Sequence, residues 1–206
     1  SKFPMFPCVL IILDGWGWRE EAKYNAIRAA NPRHIDGLLD RYPCTLLDAS
    51  GLAVGLPDGV MGNSEVGHLH IGAGRTVNQL LTQIGLDIKS GVFARNAVFA
   101  DVFRRVKEMG GTLHMMGLLS DGGVHSHQDH LEALLRAAQA AGVKKIAVHA
   151  FLDGRDTPPE SGVGYMERLL AFMDALGAGT LASFMGRFYA MDRDKRWERV
   201  KIAFDA

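Results

Sequence analysis

Apolar and polar positions follow two different rhythms along the chain. Residues 9–13, Val-Leu-Ile-Ile-Leu, form a continuous apolar run that stops at Asp14 and Gly15. That is the pattern of a strand buried on both faces, with a polar residue at its carboxyl end. Residues 25–42 read as helical, with Ile27, Ile35, Leu38 and Leu39 available for burial and Pro32 marking a break or a second helix start. From 50 to 75 the pattern gives way to glycine: Gly51, Gly55, Gly59, Gly62, Gly67, Gly72 and Gly74. Such a density predicts loops whose backbone takes unusual angles or approaches something closely.

After about Thr76 the rhythm becomes regular. A helix over 96–109, with Val98, Val102, Phe103 and Val106 on one side, precedes three repeats of strand, polar loop and helix. The strands fall at 112–118, 145–151 and 180–185, and the helices at 128–141, up to about 176, and from about 195. Strands alternating with helices imply a parallel sheet with right-handed crossovers, and such sheets bind ligands outside the carboxyl ends of their strands. The loops at those ends carry the His, Arg and Asp residues.

Composition narrows the classes. The 206 residues hold 48% apolar side chains, enough for a core, and 23 basic residues balance 23 acidic ones. A net charge of zero argues against a protein that coats nucleic acid or an anionic membrane, while leaving room for a local basic pocket. The longest apolar run, 8–13, is far below the roughly 18 residues of a membrane span. Lys2 is basic, but the Pro-punctuated stretch after it contains no leader-like apolar segment. Cys8 and Cys44 make neither a disulfide framework nor a metal motif. These features describe an intracellular α/β protein of one large domain, or one and a piece.

Four clusters could carry chemistry. Asp14, at the end of a strand, is either a metal ligand or the cap of a turn. Ser64, after Gly62 and Asn63, could open a helix whose free N–H groups suit a phosphorylated or metal-bound oxygen; the plainer alternative is a helix cap with Glu65 in the first turn. His125, His127, Asp129 and His130 have the spacing of a dinuclear hydrolase motif, but the only later histidine, His149, lies inside a strand. The alternative puts His125 in a pocket and lets His127, Asp129 and His130 begin a helix. Finally, Arg155 stands between Asp153 and Asp156, and Arg187 and Arg193 follow in the next loop. Arginines converging from adjacent strand ends suit a small, doubly anionic substrate, although each alone fits a surface salt bridge.

The motifs Asp14-Gly-Trp-Gly17, Met61-Gly-Asn-Ser-Glu-Val-Gly-His68, Gly72-Ala-Gly-Arg75, Gly122-Gly-Val-His-Ser-His127, Asp153-Gly-Arg-Asp156 and Gly186-Arg-Phe-Tyr-Ala-Met-Asp-Arg-Asp194 occur in that order. Together they closely resemble the cofactor-independent (2,3-bisphosphoglycerate-independent) phosphoglycerate mutases. The resemblance implies an isomerase that interconverts 3-phosphoglycerate and 2-phosphoglycerate in glycolysis and gluconeogenesis through a phosphoserine intermediate. It implies two divalent ions, usually manganese, no requirement for 2,3-bisphosphoglycerate, a cytoplasmic location, and a monomer with neither nucleic acid nor membrane as partner. Ser64 matches the nucleophile and a metal ligand, and Asp14 matches a ligand of the same ion. His125, Arg155, Asp156, Arg187 and Arg193 match substrate contacts.

The implied fold is α/β: the first strip of an alkaline-phosphatase-like domain over residues 1–76, then an incomplete inserted phosphotransferase domain over 77–206. Family members are more than twice this length, and their remaining metal ligands and some basic contacts lie in the part beyond position 206. The chain by itself is therefore expected to be inactive, with an incomplete metal site and with residues 9–13 short of sheet neighbours. A metal-dependent hydrolase using the His125–His130 cluster, and a non-catalytic module binding phosphorylated acids, are the competing expectations.

Overall fold

The computed structural model describes residues 7–206; Lys2, weighed above, lies outside them. The chain divides into two compact units, one ending at Val77 and one spanning Asn78–Ala206.

In the first unit, residues 9–13 form no strand, and their side chains are exposed, from 42% at Ile12 to 80% at Val9. This corrects the buried strand expected from the pattern. Apolar, β-branched composition favours an extended backbone, but a strand also needs a neighbour to complete its hydrogen-bond ladder. Helix α1 (Ala26–Ala29) starts at Asn25, whose side chain accepts a hydrogen bond from the Arg28 N–H. Pro32 does separate it from a second helix, α2 (Arg33–Arg41). Ile27 and Ile35 are half-buried, whereas Leu38 and Leu39 remain exposed.

The glycine-rich stretch is ordered around a short antiparallel bridge between Ser50 and Met61. Gly51 N–H donates to Val60 and Gly62 N–H to Ala49, at 2.8 and 2.9 Å. At Gly62 the two backbones are so close that a Cβ would sit 2.2 Å from the Ala49 carbonyl oxygen. Helix α3 (Ser64–Ala73) follows directly, and Asn63 rather than Ser64 caps it, accepting from the Val66 N–H at 3.0 Å. Gly67 and Gly72, expected in loops, lie inside this helix.

The second unit contains α4 (Leu80–Ser90), a 3-10 turn at Phe93–Arg95, α5 (Ala97–Glu108), β1 (Leu113–Leu119), α6 (Gln128–Ala140), β2 (Ile146–Leu152), α7 (Gly162–Leu176), β3 (Thr180–Gly186), α8 (Arg187–Ala190) and α9 (Trp197–Asp205). The pattern of residues 77–95 predicted no element, yet Leu81, Ile84 and Ile88 supply the half-buried side of α4 at helical spacing. Helix α5 is rotated from expectation: Val98 is 69% exposed, and Phe99, Phe103 and Val106 turn to the core.

The three strands form a parallel sheet in the order β1-β2-β3. One face packs Met115, Leu119, Val148 and Ala150 against Leu135 of α6 and Leu169 and Met173 of α7. Leu135 and Leu169 are completely buried. On the other face His114 Nδ1 lies 2.9 Å from His149 Nε2, whose Nδ1 lies 2.8 Å from Ser183 Oγ. Pairing of β2 with β3 shifts by one residue: Val148 aligns with Leu181, but His149 with Ser183, which leaves Ala182 as an extra residue. Among the described residues no helix is long and apolar enough to cross a membrane.

Gly62 and Gly72 give a direct test of these packing arguments. Gly62→Ala is expected to destabilise the chain by about 1–3 kcal/mol, because the new methyl meets rigid backbone. Gly72→Ala meets nothing within 4 Å and should be neutral or stabilising by up to about 1 kcal/mol, the helix-propensity gain over glycine. Urea unfolding of both variants measures the difference.

Candidate functional site

The strand ends of the second unit build one cluster row by row. The last ladder positions are Leu119, Leu152 and Gly186, which align across the sheet. The next residue on each strand is polar: Ser120, Asp153 and Arg187. Ser120 Oγ donates to Asp153 Oδ2 at 2.6 Å, and Arg187 Nη1 donates to Asp153 Oδ1 at 2.9 Å. The backbone N–H groups of Arg155 and Asp156 also donate to Asp153 Oδ1, each at 3.0 Å. The Asp153 side chain is only 1% exposed. Burial alone pushes its carboxyl upward, but the bonds from Ser120, the two backbone N–H groups and Arg187 outweigh burial and bring it down to about 2.

Arg187 is held a second time. The same Nη1 donates to Asp156 Oδ2 at 2.6 Å, and that oxygen also lies 3.8 Å from His125 Nε2. Both Arg187 bonds use Nη1, so the Nε and Nη2 edge of the guanidinium is not engaged by them. His125, Arg155, Arg187 and Arg193 line one cavity of about 520 Å³, together with Phe188 and Arg199. Asp156 borders it through Arg187 and His125. The five residues singled out from the sequence of this unit are therefore neighbours.

The pattern assigned no role at this site to Ser120, Asp153, Asp192, Phe188 or Arg199. Ser120 and Asp153 fix Arg187. Asp192, 2% exposed, accepts from the Arg196 N–H at 2.9 Å and from Arg199 Nη1 at 3.5 Å. The Arg199 guanidinium lies 3.9 Å from the Phe188 ring centroid, a cation–π stack on the cavity wall. The available signal was positional: each strand is followed at once by a polar residue, which becomes visible only when strand ends are placed to the exact residue.

A larger cavity of about 640 Å³ runs along β1, but Leu81, Ile84, Phe99, Val102 and Leu134 make its wall mainly apolar. Four guanidinium groups favour the smaller cavity for an anionic ligand.

The histidine cluster begins helix α6. His127 is its N-cap, and its Nδ1 accepts from the Asp129 N–H at 3.2 Å. Asp129 and Glu132 are both bound by Arg168 of α7, at 2.5 and 2.8 Å. Burial, reinforced by the neighbouring His127, holds His130 below the usual imidazole range despite Asp129. The carboxylate a dinuclear hydrolase would need is thus tied to a guanidinium.

In the first unit, Ser64 Oγ donates to Asp14 Oδ2 at 2.6 Å, although the residues are 50 apart in sequence. His68, one turn along α3, places Nδ1 2.8 Å from the Ser64 carbonyl oxygen and 3.3 Å from Ser64 Oγ. Ser64 is therefore the first residue of the helix with its hydroxyl turned to Asp14, and the capping role falls to Asn63. A carboxylate and a hydroxyl side by side are hard oxygen donors of the kind that bind magnesium- or manganese-type cations. They can supply two positions of one ion's coordination shell. No group of three or more His, Cys, Asp or Glu side chains among the described residues is arranged to hold a metal.

Comparison with known proteins extends the picture. The family model described as BPG-independent PGAM N-terminus matches residues 84–206. The chain is 54% identical over 200 residues to 2,3-bisphosphoglycerate-independent phosphoglycerate mutase 1 of Methanosarcina barkeri, covering 97% of this chain and 39% of that protein. It is 55% identical over 197 residues to the 2,3-bisphosphoglycerate-independent phosphoglycerate mutase of Thermomicrobium roseum, covering 96% and 38%. Among solved structures, Leishmania mexicana phosphoglycerate mutase at low cobalt concentration aligns with a TM-score of 0.66 and 37% identity, over 92% of this chain and 36% of that one. The chain thus spans about two fifths of the length of the curated relatives it matches.

Asp153 generates a pH-dependent expectation. Its carboxyl lies below the ordinary value, so it stabilises the fold fully above about pH 4 and loses that contribution as pH falls through about 2. A depression of this size corresponds to about 2 kcal/mol. Asp153→Asn should therefore unfold more easily at pH 7 by about that amount, and the gap from the parent chain should narrow between pH 4 and pH 2. Chemical denaturation across that range checks it; a constant gap would assign the loss to packing.

Proposed function

The chain belongs to the BPG-independent phosphoglycerate mutase family, and on that premise we propose that it carries the nucleophile and part of the substrate site of an enzyme interconverting 3-phosphoglycerate and 2-phosphoglycerate. The observation that carries this reading is the 2.6 Å bond between Ser64 Oγ and Asp14. A serine hydroxyl is a weak nucleophile until something takes or replaces its proton, and Asp14 already accepts that proton in a hydrogen bond. Asp14 and Ser64 would also contribute ligands to a divalent ion, with manganese favoured by the family resemblance; when bound, such an ion neutralises charge on the phosphoryl group and lowers the hydroxyl's pKa.

In this mechanism Ser64 Oγ bonds to phosphorus as the phosphorus–oxygen bond to glycerate breaks, and the Oγ proton ends on the departing glycerate oxygen. The other glycerate hydroxyl then takes the phosphoryl group back and returns its proton to Oγ. Between the two transfers the glycerate must be retained and reoriented. That task falls to Arg155, Arg187 and Arg193, whose planar forks match carboxylate and phosphate oxygens, with His125 at the same cavity and Asp156 bound to Arg187 beside it. Asp153 and Asp156 fix Arg187 before any ligand arrives, so little ordering remains for binding. Independence from 2,3-bisphosphoglycerate is supported by the names of the relatives, and a cytoplasmic location follows from the same reading.

Two sets of variants test the proposal in a protein that carries this sequence within the full length of its relatives. Ser64→Ala should lose turnover by several orders of magnitude while folding normally, and should no longer incorporate phosphate when quenched during turnover. Near-normal mutase activity in that variant would refute the nucleophile assignment. Arg187→Lys and Arg193→Lys keep the charge but lose the fork, and should each weaken kcat/KM by about 1–3 kcal/mol, against no change for Arg95→Lys at an exposed position. If all three behave alike, the arginines belong to a solvated network rather than a binding site.

A further inference from the structure

We propose that His68 is a catalytic hydrogen-bond donor to Ser64 Oγ, and that its Nδ1–H holds the negative charge that gathers on this oxygen while the phosphoryl group arrives and leaves. This rests on the reading of Ser64 as the phosphoryl acceptor and adds a residue to it.

The proton assignment comes from the backbone. His68 follows Ser64 by four residues on α3, so the two side chains lie on the same face one turn apart. Nδ1 is 2.8 Å from the Ser64 carbonyl oxygen. A carbonyl oxygen can only accept, so Nδ1 carries a proton. The same N–H lies 3.3 Å from Ser64 Oγ. Oγ directs its own hydrogen to Asp14 at 2.6 Å, which leaves it an acceptor toward His68. The Nδ1–H is therefore shared between two oxygens of one residue, with the carbonyl the nearer in the resting state.

Charge changes that balance. As the Oγ–phosphorus bond breaks in the return transfer, electrons pass to Oγ, and before the forward attack the hydroxyl gains anionic character as its proton leaves. A charged acceptor makes a shorter and roughly twofold stronger bond than a neutral one. The donor is already within reach, fixed by a helix and a carbonyl, so little reorganisation is needed when charge develops. His68 keeps its Nδ1 proton through both halves of the reaction. It is a donor, and neither takes up nor releases a proton.

Three substitutions separate this role from a structural one. Asparagine places an amide N–H close to where Nδ1 stands, glutamine reaches instead toward Nε2, and alanine supplies neither. In the full-length protein, His68→Ala and His68→Gln are expected to lower kcat by about 10²–10³-fold, the range for removing one such donor, and to slow phosphate incorporation at Ser64 in quenched intact-mass measurements. His68→Asn should recover at least tenfold over His68→Ala. Equal rates for His68→Asn and His68→Ala, or an unimpaired His68→Ala, would overturn the proposal. A second readout needs no activity: nitrogen-15 NMR of this chain should show His68 protonated at Nδ1, and protonation at Nε2 alone would overturn it even if every variant folded poorly. Ser64→Ala distinguishes the two levels. If that variant remains active, the Ser64 reading fails and the His68 role falls with it. If Ser64→Ala is dead while His68→Ala turns over normally, only the His68 role is wrong.

Discussion

A single buried carboxylate holds the strand-end cluster together. Asp153 receives Ser120 from the end of β1, two N–H groups from its own loop and Arg187 from the end of β3. It thereby joins all three strand ends across the top of the sheet. A charge so deeply buried is tolerable because both its oxygens accept hydrogen bonds and a guanidinium matches its charge, and removing Arg187 would leave an uncompensated ion. The loops above the sheet are consequently constrained as a set, and the direction of Arg187 is decided by residues that need never touch a ligand.

The same arrangement explains how a chain with no net charge can gather four arginines around one cavity. Arg187 has its positive charge matched by Asp153 and Asp156, while Arg155, Arg193 and Arg199 line the same space. Arg199 is steadied in turn by Asp192 and the Phe188 ring. Acidic residues here act as scaffolding for basic ones. The global charge balance describes the sum of these pairs and says little about the local field.

Much of the second unit was legible in sequence because its elements are long and regular. The three strand–loop–helix repeats at 112–205 appear within a residue or two of their expected bounds, and Pro32 separates two helices as its missing N–H requires. Three features were not legible, for distinct reasons. Residues 9–13 have the composition of a strand, but composition cannot report whether a pairing partner is present. Val98 and Phe99 are both apolar, and a rotation of one residue decides which is buried. Asp153 looks in sequence like any loop aspartate; its burial depends on strands β1 and β3 ending at exactly matching rows. The chemistry-bearing types at Ser64, Asp14 and Arg187 were visible, whereas His68 became notable only once the helix placed it against the serine.

The extra residue in β3 sets the phase of that strand. Up to Leu181 the pairing with β2 runs with one offset, and from Ser183 onward with another, because Ala182 is passed over. Side chains of a strand alternate between faces, so one added residue exchanges the facing of everything after it. With the bulge, Gly186 aligns with Leu152 and Arg187 arrives beside Asp153; without it, Gly186 would fall opposite Asp153 and the guanidinium would point away. Strand β3 therefore works as a counting device as well as a packing element. The same sequence paired without that slip would keep every charge, yet present the anion-binding edge with glycine in place of arginine.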